Sequence, residues 1–112
     1  MKKIEFNVKE PYLNFIKLGK KTIEGRLNKG KFKDIQIGDI LILSDGSKME
    51  FIVIGKRSYS SFSEMLIKEN IKNIIPDKND LEEATQVYYK FYTPEQENKF
   101  GVVAIEIKLK EI

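Results

Sequence analysis

At residues 19–27 the chain reads Gly-Lys-Lys-Thr-Ile-Glu-Gly-Arg-Leu, and this stretch decides how the fold is predicted. Successive side chains of a β-strand point to opposite faces of the sheet. As a strand, the stretch places a cation, a hydroxyl, a carboxylate and a guanidinium on one face. These are Lys20, Thr22, Glu24 and Arg26. Gly25 leaves the opposite face open for close approach by another group. The polar row can bind an anion or the polar edge of a base, or it can simply face solvent.

The overall composition is that of an ordinary folded domain. The chain has 112 residues, of which 41% are hydrophobic and 33% charged, so we expect one domain over residues 1–112. No apolar run approaches the roughly eighteen residues of a membrane helix, and the first residues do not resemble a secretory leader. With no cysteine there is no disulfide framework. We therefore expect a cytoplasmic protein that does not bind membranes.

Histidine and cysteine are both absent, which excludes several classes of site. The usual zinc ligand sets, cysteine nucleophiles and the Ser-His-Asp triad cannot be formed. The glycines form neither a P-loop nor a dinucleotide-binding fingerprint. We expect no metal and no cofactor, and any catalysis must use Lys, Glu, Asp, Tyr, Ser or Thr. The sequence leaves the oligomeric state open.

The net charge of +3 is unevenly distributed along the chain. Residues 1–33 contain ten basic and three acidic side chains, a surplus of seven positive charges. Residues 34–112 contain ten basic and fourteen acidic side chains, a surplus of four negative charges. A basic N-terminal third fits a polyanion such as nucleic acid. The alternative is a lysine-rich face that is only solvated.

Hydrophobic periodicity predicts an α+β domain. The predicted strands lie near residues 3–8, 21–27, 40–43, 49–59 and 103–109, and the predicted helices begin near Pro11, Ser61 and Asp80. Asp45-Gly46 predicts a hairpin turn, and Gly55 predicts a bulge or bend within its strand. Residues 28–34 and 94–99 are interpreted as connections. The bend signals favour a small, partly closed barrel of about five to six mostly antiparallel strands with two to three flanking helices.

Several stretches occur together in an order and spacing typical of one family. They are residues 19–26, 37–39, 59–66 and 88–92, followed by Glu97 and residues 101–105. On these stretches the chain resembles the ASCH (ASC-1 homology) domain family, whose fold is a PUA-like β-barrel. The resemblance implies a cleft beside the barrel, suited to RNA or a nucleoside.

Within the wider family, one bacterial branch hydrolyses an N4-acylated cytidine with a lysine, a threonine and a glutamate in that cleft. The resemblance places the lysine of that branch on Lys21. Glu24 stands where that branch has its threonine, so the candidate nucleophile is replaced.

The candidate site residues each have a functional and a structural interpretation. Lys21 is either a base or amine whose pKa is lowered by burial, or a lysine that is solvated or contacts phosphate. Glu24 and Arg26 either pair with each other, or Arg26 binds a phosphate while Glu24 orients a base or a water. Tyr59 and Tyr92 either stack on bases or belong to the core.

Three function hypotheses follow from these residues. The first is an RNA- or nucleotide-binding cleft, whose predicted residues are Lys20, Lys21, Thr22, Glu24, Arg26, Tyr59 and Tyr92. The second is a hydrolase of RNA or of an N4-acylated cytidine, in which Lys21 and Glu24 are catalytic. The third is a protein-interaction domain.

Overall fold

The computed structural model describes residues 1–111, which form five strands and six helices. The strands are β1 (Lys3–Phe6), β2 (Ile23–Leu27), β3 (Ile40–Leu43), β4 (Glu50–Tyr59) and β5 (Val102–Leu109). The helices are α1 (Tyr12–Lys17), α2 (Gly30–Asp34), α3 (Phe62–Glu69), α4 (Ile71–Ile74), α5 (Leu81–Tyr89) and α6 (Pro94–Phe100). The α+β class predicted from the sequence is confirmed.

The strands form one mixed sheet in the order β1-β3-β4-β5-β2. β1 pairs in parallel with β3, and the other three pairings are antiparallel. The register between β4 and β5 shifts between Val53 and Gly55, which confirms the bulge predicted at Gly55. A bulge bends its strand and increases the local twist. The long strand β4 can therefore pair with β3 at one end and with β5 along most of its length.

The predicted barrel is wrong in one respect, because the sheet of residues 1–111 does not close. β1 and β2 are the two edge strands, and neither pairs with the other. Side chains bridge the gap between them instead. The Arg26 guanidinium donates to the carbonyl of Asn7, and Lys31 Nζ donates to the carbonyl of Glu5 at 2.5 Å. We call this gap, between β2 on one side and β1 with residues 7–9 on the other, the seam.

The predicted two to three helices are also too few. α2 and α6 lie in the stretches interpreted as connections, and α4 is a single turn after α3. α2 escapes prediction because it is five residues long and buries only Phe32. α6 does have a start signal, since Thr93 and Gln96 form a capping box around a Pro at the first helical position.

The two faces of the sheet are covered by two hydrophobic clusters. One contains Phe6, Ile16, Phe32, Leu41, Val53, Val103 and Ile105. The other packs α3, α4 and α5 on the sheet and contains Ile23, Phe62, Met65, Ile74, Tyr88, Val102 and Ala104. Because β5 contributes to both clusters, it is buried on both faces over residues 102–105.

No helix in the described part of the chain combines the length and apolar character that spanning a bilayer requires.

A buried carboxylate fixes the start of α3. Glu97 is 7% exposed, and it accepts hydrogen bonds from the Phe62 N–H at 2.7 Å and from the Tyr89 hydroxyl at 2.6 Å. We expect Glu97→Ala to lower the free energy of unfolding by about 1–3 kcal/mol, because the buried Phe62 N–H and the partly buried Tyr89 hydroxyl lose their acceptor. Urea denaturation measures this, with Asn98→Ala on the exposed side of α6 as the control. Equal effects of the two substitutions would contradict the assignment.

Candidate functional site

A cleft of about 210 Å³ lies at the seam, between β2, residues 7–9 after β1, and α5. Its polar wall consists of Asn7, Lys9, Lys21, Glu24 and Arg26. Its opposite wall is largely aromatic and includes Tyr12, Tyr88, Phe91 and Tyr92. The cleft therefore exists because the sheet is open at this point.

Lys21 is buried at the base of the polar wall, with 3% of its surface exposed. Its Nζ donates to the carbonyls of Ile23 and Ile74, both at 2.8 Å, and lies 3.4 Å from a carboxylate oxygen of Glu24. An ammonium has three hydrogens to donate, so all three have an acceptor. Lys21 thus ties β2 to the end of α4 and leaves no free donor for another partner.

Glu24 is held between two cations. One of its oxygens faces Lys21, and the other lies 3.3 Å from Arg26 Nη2. Burial alone would raise the pKa of Glu24, but Lys21 and Arg26 lower it below the usual carboxyl range. Burial lowers the pKa of Lys21 below its usual value, and Glu24 offsets only part of that effect. Two cations and one anion leave one positive charge in excess at the polar wall.

The Arg26 guanidinium is held in place, but not all of its N–H groups have a hydrogen-bond acceptor. Nη2 bonds to Glu24 and to the Asn7 carbonyl, and the group stacks over the Phe32 ring at 4.6 Å from its centroid. Burial would lower the pKa of Arg26, but Glu24 raises it, so the group stays charged. Among residues 1–111 no acceptor bonds to Nε or Nη1. Because Arg26 lines the cleft, these N–H groups can bind an anion there.

The aromatic wall is built on a stack of three rings. Phe62 stacks on Tyr88 at 4.3 Å between ring centroids and on Tyr92 at 5.5 Å. Tyr88 packs against Gly25, where an added Cβ would lie 2.7 Å from the Tyr88 hydroxyl and 2.6 Å from Met65 Cε. The close approach predicted at Gly25 is confirmed, and α3 and α5 use it.

The Tyr88 hydroxyl has no hydrogen-bond partner, the one such buried side-chain atom in residues 1–111. The residue is 6% exposed and lines the cleft. Burial raises the pKa of Tyr88 well above its usual value, so the hydroxyl stays protonated. Buried polar groups are nearly always paired, so this hydroxyl is a candidate ligand contact.

Of the residues predicted from the sequence, Lys21, Glu24, Arg26 and Tyr92 line the cleft. Lys20 is exposed and Thr22 half-buried, and neither lines it. The reason is that β2 begins only at Ile23, so the strict alternation predicted from residue 20 does not apply before that point.

Tyr59 lies apart from the cleft, in a different cluster. Its hydroxyl donates to Glu69, which also accepts from Arg57. Arg57 bonds to Glu106 at 3.0 Å as well, so this cluster ties β4 to α3 and β5. All its charges are paired within the protein, and Tyr59 has a structural contact here.

The sequence prediction missed Lys9, Tyr12, Tyr88 and Phe91 as cleft residues. Tyr92 lies three residues beyond the end of α5, but its N–H donates to the Tyr88 carbonyl at 2.9 Å, so the four-residue spacing still places the two side chains on one side. A pair of tyrosines on one face, opposite a strand glycine, is the signal that was available.

No group of three or more acidic side chains that could hold a metal ion occurs in the described chain, which has neither His nor Cys.

Comparison with protein families finds that the ASCH domain model matches residues 6–111. Two solved structures are closely similar. The crystal structure of hypothetical protein PH0355 is 49% identical, with a TM-score of 0.90 and coverage of 96% of this chain and 99% of that one. The solution NMR structure of protein PF0455 from Pyrococcus furiosus is 44% identical, with a TM-score of 0.82 and coverage of 98% and 99%. A comparison with functionally curated proteins found no match.

Two neighbouring lysines test the role of the buried charges. We expect Lys21→Met to lower the free energy of unfolding by about 3 kcal/mol, because two carbonyls lose their donor and Glu24 loses one of its two cations. Lys20→Met, one residue away and exposed, should change it by less than about 0.5 kcal/mol. Urea denaturation compares the two. Equal effects would show that the ion cluster does not hold β2 in place.

The unpaired hydroxyl gives a second stability test. Tyr88→Phe removes a buried group that has no partner, so we expect the free energy of unfolding to stay the same or to rise by up to about 1 kcal/mol. Tyr59→Phe removes the bond to Glu69 and should lower it by about 1 kcal/mol. A loss in Tyr88→Phe as large as that in Tyr59→Phe would mean that the Tyr88 hydroxyl does have a partner in the free protein.

Proposed function

The chain belongs to the ASCH domain family, and from this premise we propose that it binds RNA or a nucleotide in the cleft at the seam. ASCH domains are generally thought to bind RNA. One observation carries the proposal: Arg26, which is held in place and has N–H groups without an acceptor, lies beside an aromatic wall. These are the two features that one nucleotide needs, a cation for its phosphate and ring surface for its base.

The charge of the cleft supports an anionic ligand. Lys21, Glu24 and Arg26 together carry an excess of one positive charge, and Lys9 adds another at the cleft wall. The N-terminal third of the chain, which supplies all four of these residues, carries the positive surplus seen in the sequence. Such a field raises the association rate of a polyanion and makes its affinity fall with salt.

The geometry supports binding more than hydrolysis. A general base works best when its pKa lies near the working pH, and the pKa of Glu24 is lowered by its two cationic neighbours. Lys21 Nζ donates to two carbonyls and faces Glu24, so it has no free position at which to contact a substrate. Lys21 and Glu24, the two candidate catalytic groups, pair with each other, and their remaining bonds go to backbone carbonyls and to Arg26. We therefore place them as supports for Arg26 rather than as reacting groups.

The role of Arg26 is tested by a salt series. Labelled single-stranded RNA is titrated with the wild type and with Arg26→Gln, and anisotropy is measured at several KCl concentrations. We expect the substitution to weaken binding about tenfold and to reduce the slope of log K against log salt by about 1, because one phosphate contact is lost.

Lys108→Gln is the matched control, since Lys108 is exposed, outside the cleft, and its loss changes the net charge equally. It should alter binding much less than Arg26→Gln. Absence of RNA binding by the wild type, or equal effects of the two substitutions, would overturn the proposal.

A further inference from the structure

One backbone edge of β2 faces the cleft. At the two ends of the β2–β5 ladder, Thr22 accepts from the Ile107 N–H at 2.9 Å and Asn28 donates to the Gly101 carbonyl at 3.0 Å. Opposed residues of an antiparallel pair alternate between hydrogen-bonded and non-hydrogen-bonded positions. The even-numbered residues of β2 therefore bond to β5. The odd-numbered residues 23, 25 and 27 direct their N–H and C=O groups away from β5.

The carbonyls on either side of Gly25 are already occupied. That of Ile23 accepts from Lys21 Nζ, and that of Leu27 accepts from the Lys29 N–H, both at 2.8 Å. Gly25, between them, lines the cleft and is buried. It lies on an edge strand at a position that does not bond to β5, so neither its N–H nor its C=O has a partner within residues 1–111. Buried backbone groups without a partner are rare and cost about as much as a lost hydrogen bond.

The Tyr88 hydroxyl is the third unpaired group at this point. It is 94% buried and lies within 2.7 Å of the position that a Gly25 Cβ would take. A backbone donor, a backbone acceptor and a hydroxyl that can serve as either thus lie next to one another at the cleft. Three unpaired groups at one buried spot point to a ligand that pairs with them.

We propose that Gly25 and Tyr88 form a reading site for a single unpaired nucleobase. The free N–H and C=O of Gly25 pair with an adjacent acceptor and donor on the Watson–Crick edge of the base, and the Tyr88 hydroxyl adds a third bond. Protein contacts to exposed bases of single-stranded RNA are commonly made on this edge. The inference rests on the proposed function and names the part of the RNA that enters the cleft.

The arrangement favours a base over a peptide strand. A peptide that extends a sheet needs several consecutive free positions along the edge. Here Lys21 and Lys29 occupy the carbonyls on both sides of Gly25, so only one residue offers a complete donor–acceptor pair. A planar heterocycle needs no more than one such pair.

The test uses oligonucleotides that differ only at the base. Single-stranded oligomers of U, C and A and an abasic oligomer of equal length are titrated with wild type, Tyr88→Phe and the control Tyr59→Phe. The best-bound oligomer is then compared with one methylated on the Watson–Crick nitrogen of each base. We expect methylation to weaken binding at least tenfold, and Tyr88→Phe to weaken binding of the unmethylated oligomer about three- to tenfold. Binding of the abasic oligomer should not change in Tyr88→Phe.

The outcomes separate this inference from the function on which it rests. If RNA binding is salt-dependent and sensitive to Arg26→Gln, but neither methylation nor Tyr88→Phe weakens it, the reading site is overturned and the RNA-binding cleft stands. If none of the oligomers binds, both are overturned. The comparison of methylated with unmethylated oligomers uses only the wild-type protein, so a folding defect in Tyr88→Phe cannot cause a loss of binding on methylation. A loss in Tyr59→Phe equal to that in Tyr88→Phe would also overturn the inference, because Tyr59 does not line the cleft.

Discussion

The buried cluster of Lys21, Glu24 and Arg26 is the interaction on which the site depends. Lys21 fastens β2 to the end of α4, Arg26 fastens it to the chain after β1, and Glu24 holds the two cations together. Buried ion pairs contribute little net stability compared with a well-packed apolar core. In this cluster the two carbonyl acceptors of Lys21 offset part of the desolvation cost. The main effect of the cluster is to hold the charged Arg26 at a fixed place beside an aromatic wall.

The same cluster explains why the sheet remains open. A closed barrel would need a ladder between β1 and β2, and that ladder would fill the space of the cleft. Arg26 and Lys31 instead donate to carbonyls at and just after β1. Exposed sheet edges are prone to pair with other chains, and covering them with charged side chains prevents this. The side chains at the seam therefore protect two sheet edges from pairing with other chains, and the same side chains leave room for a ligand.

Local patterns predicted those parts of the structure that depend on neighbours in sequence. The alternation of residues 23–27, the space at Gly25 and the bulge at Gly55 all followed from spacing. The pairing of Glu24 with Arg26 was one of two alternatives that spacing left open. Lys21 was assigned to the site by family resemblance. Strict alternation predicts that its side chain lies on the face opposite to Glu24. It reaches Glu24 because the strand begins after it. The open seam and the approach of Tyr88 to Gly25 could not be predicted, since they depend on where β1 and α5 pack, many residues away. Tyr59 contacts Glu69 across the junction between β4 and α3.

The central claim is that RNA enters the seam and contacts the free edge of β2. Backbone amide shifts in a ¹H–¹⁵N correlation spectrum, followed as a short single-stranded RNA is added, test it most directly. The account predicts that the largest changes occur at Gly25, Arg26 and Asn7 and along α5 near Tyr88. Changes confined to the exposed lysines outside the cleft, with Gly25 and Arg26 unaffected, would contradict it.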